Sequence, residues 1–170
     1  MTQPESFTVR TGHAGPLFYA EAGSGYPLLL LHGNGEDHTY FSAQLRFFSQ
    51  YYHVFAPDTR GHGASPRGSG PFTLDRFADD LLEFLHARAL TRVHLLGFSD
   101  GANIAMLFAL RHPELVEKVT AFWHERHRGR VPGQVLRQAR APRGAAILPN
   151  PNGSASGFRI DTVYDSRPRR

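Results

Sequence analysis

The 170-residue sequence contains no cysteine, which excludes disulfide bonds and metal sites built on thiolates. It also lacks a long apolar run. The longest strongly apolar stretch is Leu28–Leu31, far shorter than the roughly 20 residues of a membrane-spanning helix. Residues 1–10 contain no apolar segment of the kind found in secretory signals. These absences predict a soluble, cytoplasmic protein with no membrane partner.

Two phosphate-binding motifs are missing as well. The glycine turn at residues 33–35 is not followed by the Gly-Lys-Ser/Thr of a P-loop, and no Gly-x-Gly-x-x-Gly opens a helix. Histidines such as His38, His53 and His94 are scattered without the spacing of zinc ligands. We therefore expect no cofactor and no bound metal ion.

The formal net charge of +4 is unevenly distributed. Residues 1–120 carry 9 basic and 12 acidic side chains, whereas residues 121–170 carry 10 basic side chains, all arginine, and 3 acidic ones. Five prolines and five glycines lie in the same C-terminal region. This composition disfavours a packed core. The sequence therefore predicts a core over residues 1–120 and a disordered or loosely packed tail over residues 121–170.

Within the core, strand patterns alternate with helix patterns. Alternating apolar residues around Phe7 and Val9, a turn, and a second short run predict an antiparallel hairpin at the sheet edge. Apolar runs predict buried strands at residues 26–31, 52–57 and 93–96, with another beginning at residue 116. This order is typical of an α/β fold, with a mostly parallel sheet and helices on both faces.

Three helices are predicted between these strands. The first spans residues 41–48, and the second runs from an N-cap at Thr73 to Leu90. The third, over residues 102–110, is apolar around most of its circumference and is expected to be central and buried. On the second helix, the carboxylates Asp79, Asp80 and Glu83 are expected to form a solvated face.

Three of the predicted strands end in glycine-bearing loops: His32–Gly35, Asp58–Ser65 and Gly97–Gly101. The carboxyl ends of parallel strands lie at one edge of a sheet, and ligands of open α/β sheets bind there. We therefore expect these three loops to form the functional site.

The third loop, Gly-Phe-Ser-Asp-Gly, predicts a nucleophile elbow. In such an elbow a buried strand turns sharply into a helix and exposes a serine that is held in a strained backbone conformation. Glycine is needed at positions 97 and 101, because a Cβ atom there would collide with a neighbouring strand or helix. Ser99 is thus the candidate nucleophile.

Together, the His32-Gly33 loop, the Asp58–Ser65 loop and the Ser99 elbow resemble the α/β-hydrolase family of the small bacterial type, and they occur in the family's order. The resemblance covers roughly residues 6–119. It implies an α/β-hydrolase fold that is incomplete on its C-terminal side, in a chain truncated or altered after about residue 120. It also implies an oxyanion hole formed by the backbone N–H groups of Asn34 and Asp100.

The resemblance implies a serine hydrolase that cleaves an ester, thioester or amide of a small-molecule acyl substrate through an acyl-serine intermediate. Serine at the elbow, in place of aspartate, argues against haloalkane dehalogenase and epoxide hydrolase chemistry. The family places its catalytic acid and histidine after later strands, for which this sequence has no identifiable counterpart. Glu125 as acid, with His124 or His127 as base, remain open alternatives. His32 and His62 are expected to be structural.

Other interpretations remain open. In one alternative the chain is a non-catalytic fragment. In another it is an interaction protein whose basic tail binds a polyanion. Solvated coil explains the tail better, and nucleic acid is not the expected partner. Residues 121–170 are, in a third interpretation, a shifted reading frame, which the other frames of the coding DNA would reveal. Missing late strands would leave a sheet edge uncovered, so self-association through that edge is expected.

Overall fold

The computed structural model describes residues 4–12, 15–124 and 158–165, and within these ranges seven strands form one sheet. The strands are β1 (Glu5–Thr11), β2 (Gly15–Ala22), β3 (Pro27–Leu31), β4 (His53–Pro57), β5 (Val93–Phe98), β6 (Val116–His124) and β7 (Phe158–Asp165). The helices are α1 (Ser42–Phe48), α2 (Leu74–Ala87) and α3 (Asp100–Arg111), with short 3₁₀ helices at His38–Phe41 and Pro113–Leu115.

The strand order across the sheet is β1-β2-β4-β3-β5-β6-β7. The four strands β4, β3, β5 and β6 are parallel to one another. Strands β1 and β2 form an antiparallel hairpin, and β2 joins β4 in antiparallel orientation. The expected α/β fold, with a mostly parallel sheet and an antiparallel N-terminal hairpin, is confirmed.

The alternation of side chains along β3 separates two apolar cores. Leu29 and Leu31 pack with α2 and α3 on one face of the sheet, whereas Leu28 and Leu30 pack with α1 on the other. All four leucines are buried because both faces of this central strand are covered. The expectation of helices on both faces is therefore confirmed.

Helix α2 begins as predicted, since the side chain of Thr73 accepts a hydrogen bond from the Arg76 N–H. It ends at Ala87, before the predicted Leu90. The reason is the left-handed backbone of Ala89, with φ at 52°, which lets the Leu90 N–H donate to the Leu85 carbonyl and close the helix.

The expected solvated face of α2 is wrong for Asp80. This carboxylate is buried and forms two hydrogen bonds with the guanidinium of Arg60, which is also buried. Asp80 lies three residues after Phe77 and four before Phe84, so it shares the apolar stripe of the helix. Asp79 is partly exposed and lies 2.6 Å from the Arg111 Nη2 atom.

The C-terminal region contributes to the sheet at two places. Residues 121–124 complete β6, and residues 158–165 form β7, antiparallel to β6. The predicted disordered or loosely packed tail otherwise falls on residues 125–157 and 166–170, which lie outside the described residues. With β7 on its outer side, β6 is not a sheet edge, so self-association stays a prediction that concerns the outer sides of β1 and β7. None of the described helices is long and apolar enough to cross a bilayer.

Candidate active site

Ser99 is the single residue between the end of β5 and the start of α3. Its backbone has φ at 53° and ψ at −115°, a combination that is strained for a residue with a Cβ atom. Hydrogen bonds hold it on both sides: the Ser99 N–H donates to the Phe122 carbonyl at 3.0 Å, and its carbonyl accepts from the Asn103 N–H at 3.1 Å. The serine is half-buried. The local geometry is that of an elbow.

Two glycines permit the close approach of helix and sheet at this elbow. A Cβ atom on Gly97 would lie 2.4 Å from the Gly101 carbonyl oxygen, and one on Gly101 would lie 2.0 Å from the Leu31 carbonyl oxygen. Real Cβ atoms do not approach other atoms this closely. The sequence-based prediction that both positions require glycine is confirmed.

The loop after β3 lies directly beside Ser99. A Cβ atom built on Gly33 would lie 3.2 Å from the Ser99 Cβ atom, so the glycine is in van der Waals range of the serine. Asn34, the next residue, is exposed. Within the described ranges, neither the Asn34 N–H nor the Asp100 N–H donates to a backbone carbonyl outside the helices and strands. The Asp100 amide also belongs to the first turn of α3, at the positive end of the helix dipole.

Glu36 belongs to the same loop and was not singled out from the sequence. Its Oε2 atom accepts the Gly33 N–H at 2.9 Å, and its own N–H donates to the Gly33 carbonyl at 3.3 Å. Burial raises the pKa of the Glu36 carboxyl; the hydrogen bond from Gly33 opposes this shift, and the charge of Asp37 adds to it. The one feature of the sequence that could have pointed to this contact is a glutamate three residues after a turn glycine.

His32 is buried at the end of the loop, with 1% of its surface exposed. Its Nε2 atom lies 3.0 Å from the Thr59 backbone nitrogen, which can only donate, so the proton of the ring is on Nδ1 and bonds to the Gly33 carbonyl at 2.8 Å. Burial lowers the pKa of this imidazole, which favours its neutral form. Both ring nitrogens are engaged, and the predicted structural role is confirmed.

His62 links the loops that follow β3 and β4. Its Nε2 atom lies 3.3 Å from the Asn34 Oδ1 atom, and its Nδ1 atom lies 3.1 Å from the Arg60 carbonyl oxygen. The ring also stacks on Phe72, with 5.9 Å between ring centroids. These contacts agree with the structural role predicted for His62.

Asp37, His38 and Asp58 offer possible metal-ligand atoms within 4.8 Å of one another. Their oxygens already accept internal hydrogen bonds. Asp58 accepts the His38 N–H and imidazole through Oδ1 and the Ala64 N–H through Oδ2, while Asp37 accepts from Thr39. This cluster thus anchors the turn between β3 and α1 to the end of β4.

The acid and base of a catalytic triad are not defined by the described residues. His124 ends β6, but its side chain lies outside them, as do Glu125 and His127. No described histidine is hydrogen-bonded to the Ser99 hydroxyl; His32, His38 and His62 all bond elsewhere.

In this chain a strand of a parallel sheet turns through a strained serine into a buried helix, and a glycine loop from the neighbouring strand lies beside the serine. These features define the class of α/β hydrolases. The family model described as "alpha/beta hydrolase fold" matches residues 26–122. The chain therefore belongs to the α/β-hydrolase family.

The relatives of the chain carry out different reactions. It is 36% identical over 110 residues to (E)-2-((N-methylformamido)methylene)succinate hydrolase of Acinetobacter baylyi, covering 65% of this chain and 40% of that protein. It is 32% identical over 103 residues to a soluble epoxide hydrolase of a Corynebacterium strain, covering 61% and 36%. Naproxen esterase of Bacillus subtilis superposes with a TM-score of 0.64 at 26% identity, over 69% of this chain and 42% of that one. The chain spans 40% or less of the length of these two curated relatives.

Proposed function

We propose that the protein is a serine hydrolase that cleaves an ester, thioester or amide of a small acyl substrate. The observation that carries this proposal is the backbone of Ser99, with φ at 53° between β5 and α3. Strain of this kind persists where the surrounding structure requires it, and it lifts a side chain out of the sheet toward a ligand.

In the proposed reaction the Ser99 Oγ atom attacks the carbonyl carbon of the substrate. The negative charge that develops on the carbonyl oxygen is stabilised by the N–H groups of Asn34 and Asp100, the second of which lies at the positive end of α3. The hydroxyl proton passes to a base that then protonates the leaving group, and water releases the acyl group from Ser99. His124 and His127 are the candidates for this base, with Glu125 as the acid.

The residue at the elbow favours acyl transfer over the epoxide opening named for one relative. An ester carbonyl is attacked well by an activated hydroxyl, and the resulting acyl-serine is opened by water. Naproxen esterase, by its name, acts on an ester, and its structure superposes on 69% of this chain.

The test is covalent labelling of Ser99 together with turnover of a short activated ester. We expect a fluorophosphonate probe to modify the protein at Ser99, as located by peptide mass spectrometry, and Ser99→Ala to lose both labelling and turnover. Ser49→Ala is the matched control, since the Ser49 hydroxyl only caps α1 through the Arg46 carbonyl. Equal labelling of wild type and Ser99→Ala, or labelling of neither, would refute the proposal.

A second candidate function follows from the ten arginines and three acidic residues of residues 121–170. In this alternative the protein binds a polyanion through its C-terminal region and does not catalyse a reaction. It predicts salt-sensitive retention on heparin that Ser99→Ala leaves unchanged, with no labelling of Ser99.

A further inference from the structure

The carboxylate of Glu36 lies next to the candidate nucleophile. A Cβ atom built on Gly33 would be 3.0 Å from Glu36 Oε2 and 3.2 Å from Ser99 Cβ. Glu36 Oε2 and Ser99 Cβ thus border the same position and lie within about 6 Å of each other. Any acyl group bound to Ser99 lies within a short distance of this carboxylate.

Glu36 has no cationic partner within the described residues. Its carboxylate accepts the Gly33 N–H, an interaction that favours the ionised form, and it forms no ion pair with a described lysine, arginine or histidine. The nearby basic side chains are committed elsewhere: His38 pairs with Asp58, and Arg60 pairs with Asp80.

Two further acidic residues are sequence neighbours of Glu36 and Ser99. Asp37 follows Glu36 and contributes to the rise in the pKa of its carboxyl, and Asp100 follows Ser99 directly. A fixed charge at the edge of a half-buried site is only partly screened by water and salt. Among the described residues, the Glu36 carboxylate beside Ser99 is therefore a negative charge that no ion pair neutralises.

We propose that Glu36 makes the Ser99 site selective for neutral or positively charged acyl groups and against acyl groups that carry a negative charge. This inference rests on the proposed function, because it concerns the ligand that Ser99 would attack. The oxyanion of the reaction has amide donors and a helix dipole to hold it, whereas a second negative charge on the acyl group would face the Glu36 carboxylate without such donors.

The test compares boronic acids that share one phenyl scaffold and carry three different charges, because a boronic acid accepts a serine hydroxyl without needing turnover. The probes are phenylboronic acids with a para methyl, carboxylate or trimethylammonium group, and their affinities are measured by calorimetry. We expect the carboxylate probe to bind wild-type protein about five- to tenfold more weakly than the methyl probe. The trimethylammonium probe should bind at least as tightly as the methyl probe.

Glu36→Gln separates charge from shape, since the amide oxygen of glutamine can still accept the Gly33 N–H. The difference between the anionic and neutral probes should fall to within about twofold in this variant. Glu114→Gln is the control, because Glu114 lies in the 3₁₀ helix beyond the far end of α3 and is well exposed, so the wild-type difference should persist. A thermal melt of each variant confirms that the fold is retained.

Three outcomes would overturn the charge proposal. Equal binding of the anionic and neutral probes would refute it while leaving the proposed function intact. Discrimination that is undiminished in Glu36→Gln would assign the effect to another group. If no boronic acid binds and the fluorophosphonate does not label Ser99, both the charge proposal and the proposed function are wrong.

Discussion

The carboxylate of Asp80 in α2 holds the guanidinium of Arg60 through two hydrogen bonds in the protein interior. Arg60 also donates to the carbonyl of Ser69 at 3.1 Å. The pair therefore ties the loop after β4, which borders the candidate site, to a helix on the far side of that loop. Both side chains are buried, so the loss of either would leave the other charge without its hydrogen-bonded ion-pair partner.

Replacing Asp80 by Asn should destabilise the protein strongly. The change leaves the buried Arg60 charge without its counter-ion, which costs about 3–5 kcal/mol in the free energy of unfolding. Asp79→Asn is the matched control on the same helix, because its partly exposed pair with Arg111 contributes at most about 1 kcal/mol. Urea unfolding of both variants measures the difference, and equal losses would contradict this account of the buried pair.

The close approach of α3 to β3 predicts that Gly101→Ala is severely destabilising. The added methyl group would meet the Leu31 carbonyl oxygen at 2.0 Å, and backbone on neither side can move without disrupting the elbow. We expect a loss of about 3 kcal/mol or more, at the upper end of single-residue effects. Gly12→Ala is the control, since its nearest contact is an ordinary 3.8 Å from Glu83. A circular dichroism melt with similar midpoints for both variants would refute the prediction.

The strained backbone of Ser99 predicts that the Cβ atom of this residue lowers the free energy of unfolding, although its hydroxyl is needed for labelling. Ser99→Ala and Ser99→Gly both remove the hydroxyl and should both abolish labelling. Only glycine also removes the Cβ atom that makes φ at 53° unfavourable. We therefore expect Ser99→Gly to be about 1 kcal/mol more stable than Ser99→Ala in urea unfolding. A glycine variant that is equal to or less stable than the alanine variant would show that the elbow stores no strain.

The burial of His32 predicts that the protein loses stability in acid. The pKa of this imidazole is lowered from 6.5 in the folded state, so below that pH the unfolded chain binds the proton more readily. The free energy of unfolding should therefore fall as the pH drops below about 6.5, with a contribution from this residue of up to about 1.4 kcal/mol per pH unit.

Unfolding of His32→Gln at several pH values isolates that contribution. The variant is expected to be less stable at neutral pH, because the Thr59 N–H and Gly33 carbonyl lose well-placed partners. Its pH dependence should nevertheless be flatter than that of the wild type over the same range. An unchanged slope would mean that His32 is not the group whose protonation is linked to unfolding.

Features that depend on local sequence were predictable here. The elbow glycines, the Thr73 cap and the burial of α3 each follow from residues close together in the chain, and the structure places them as expected. The fold class followed from the alternation of strand and helix patterns. That the three candidate loops lie at one edge of the sheet followed from the parallel orientation of the strands they end.

Features that depend on pairing between distant residues were missed. Asp80 was assigned to solvent because charged residues usually face outward, although its position on the apolar stripe of α2 required a buried partner such as Arg60. The strand β7 was missed because the arginines and glycines around it dominated the composition. Its own segment alternates Phe158 and Ile160 with Arg159 and Asp161, the period of a strand.

Glu36 was missed for a different reason. Nothing in the sequence shows that its side chain folds back onto the Gly33 amide instead of extending into solvent. Its position beside Ser99 results from the register of β3 with β5, which brings the ends of the two strands side by side. Side-chain neighbours of this kind follow from strand order, which the sequence pattern leaves undetermined.

The antiparallel ladder between β6 and β7 joins two segments that are far apart in the sequence. His124 is opposite Phe158, so the end of β6 and the start of β7 adjoin each other in the sheet. The Phe122 carbonyl, which accepts the Ser99 N–H, is two residues before the end of β6. This end of the β6–β7 ladder therefore lies close to the elbow. After a proteolytic nick between residues 124 and 158, the backbone hydrogen bonds between β6 and β7 would still join the two pieces, and the hydrogen bond from Ser99 to β6 would remain.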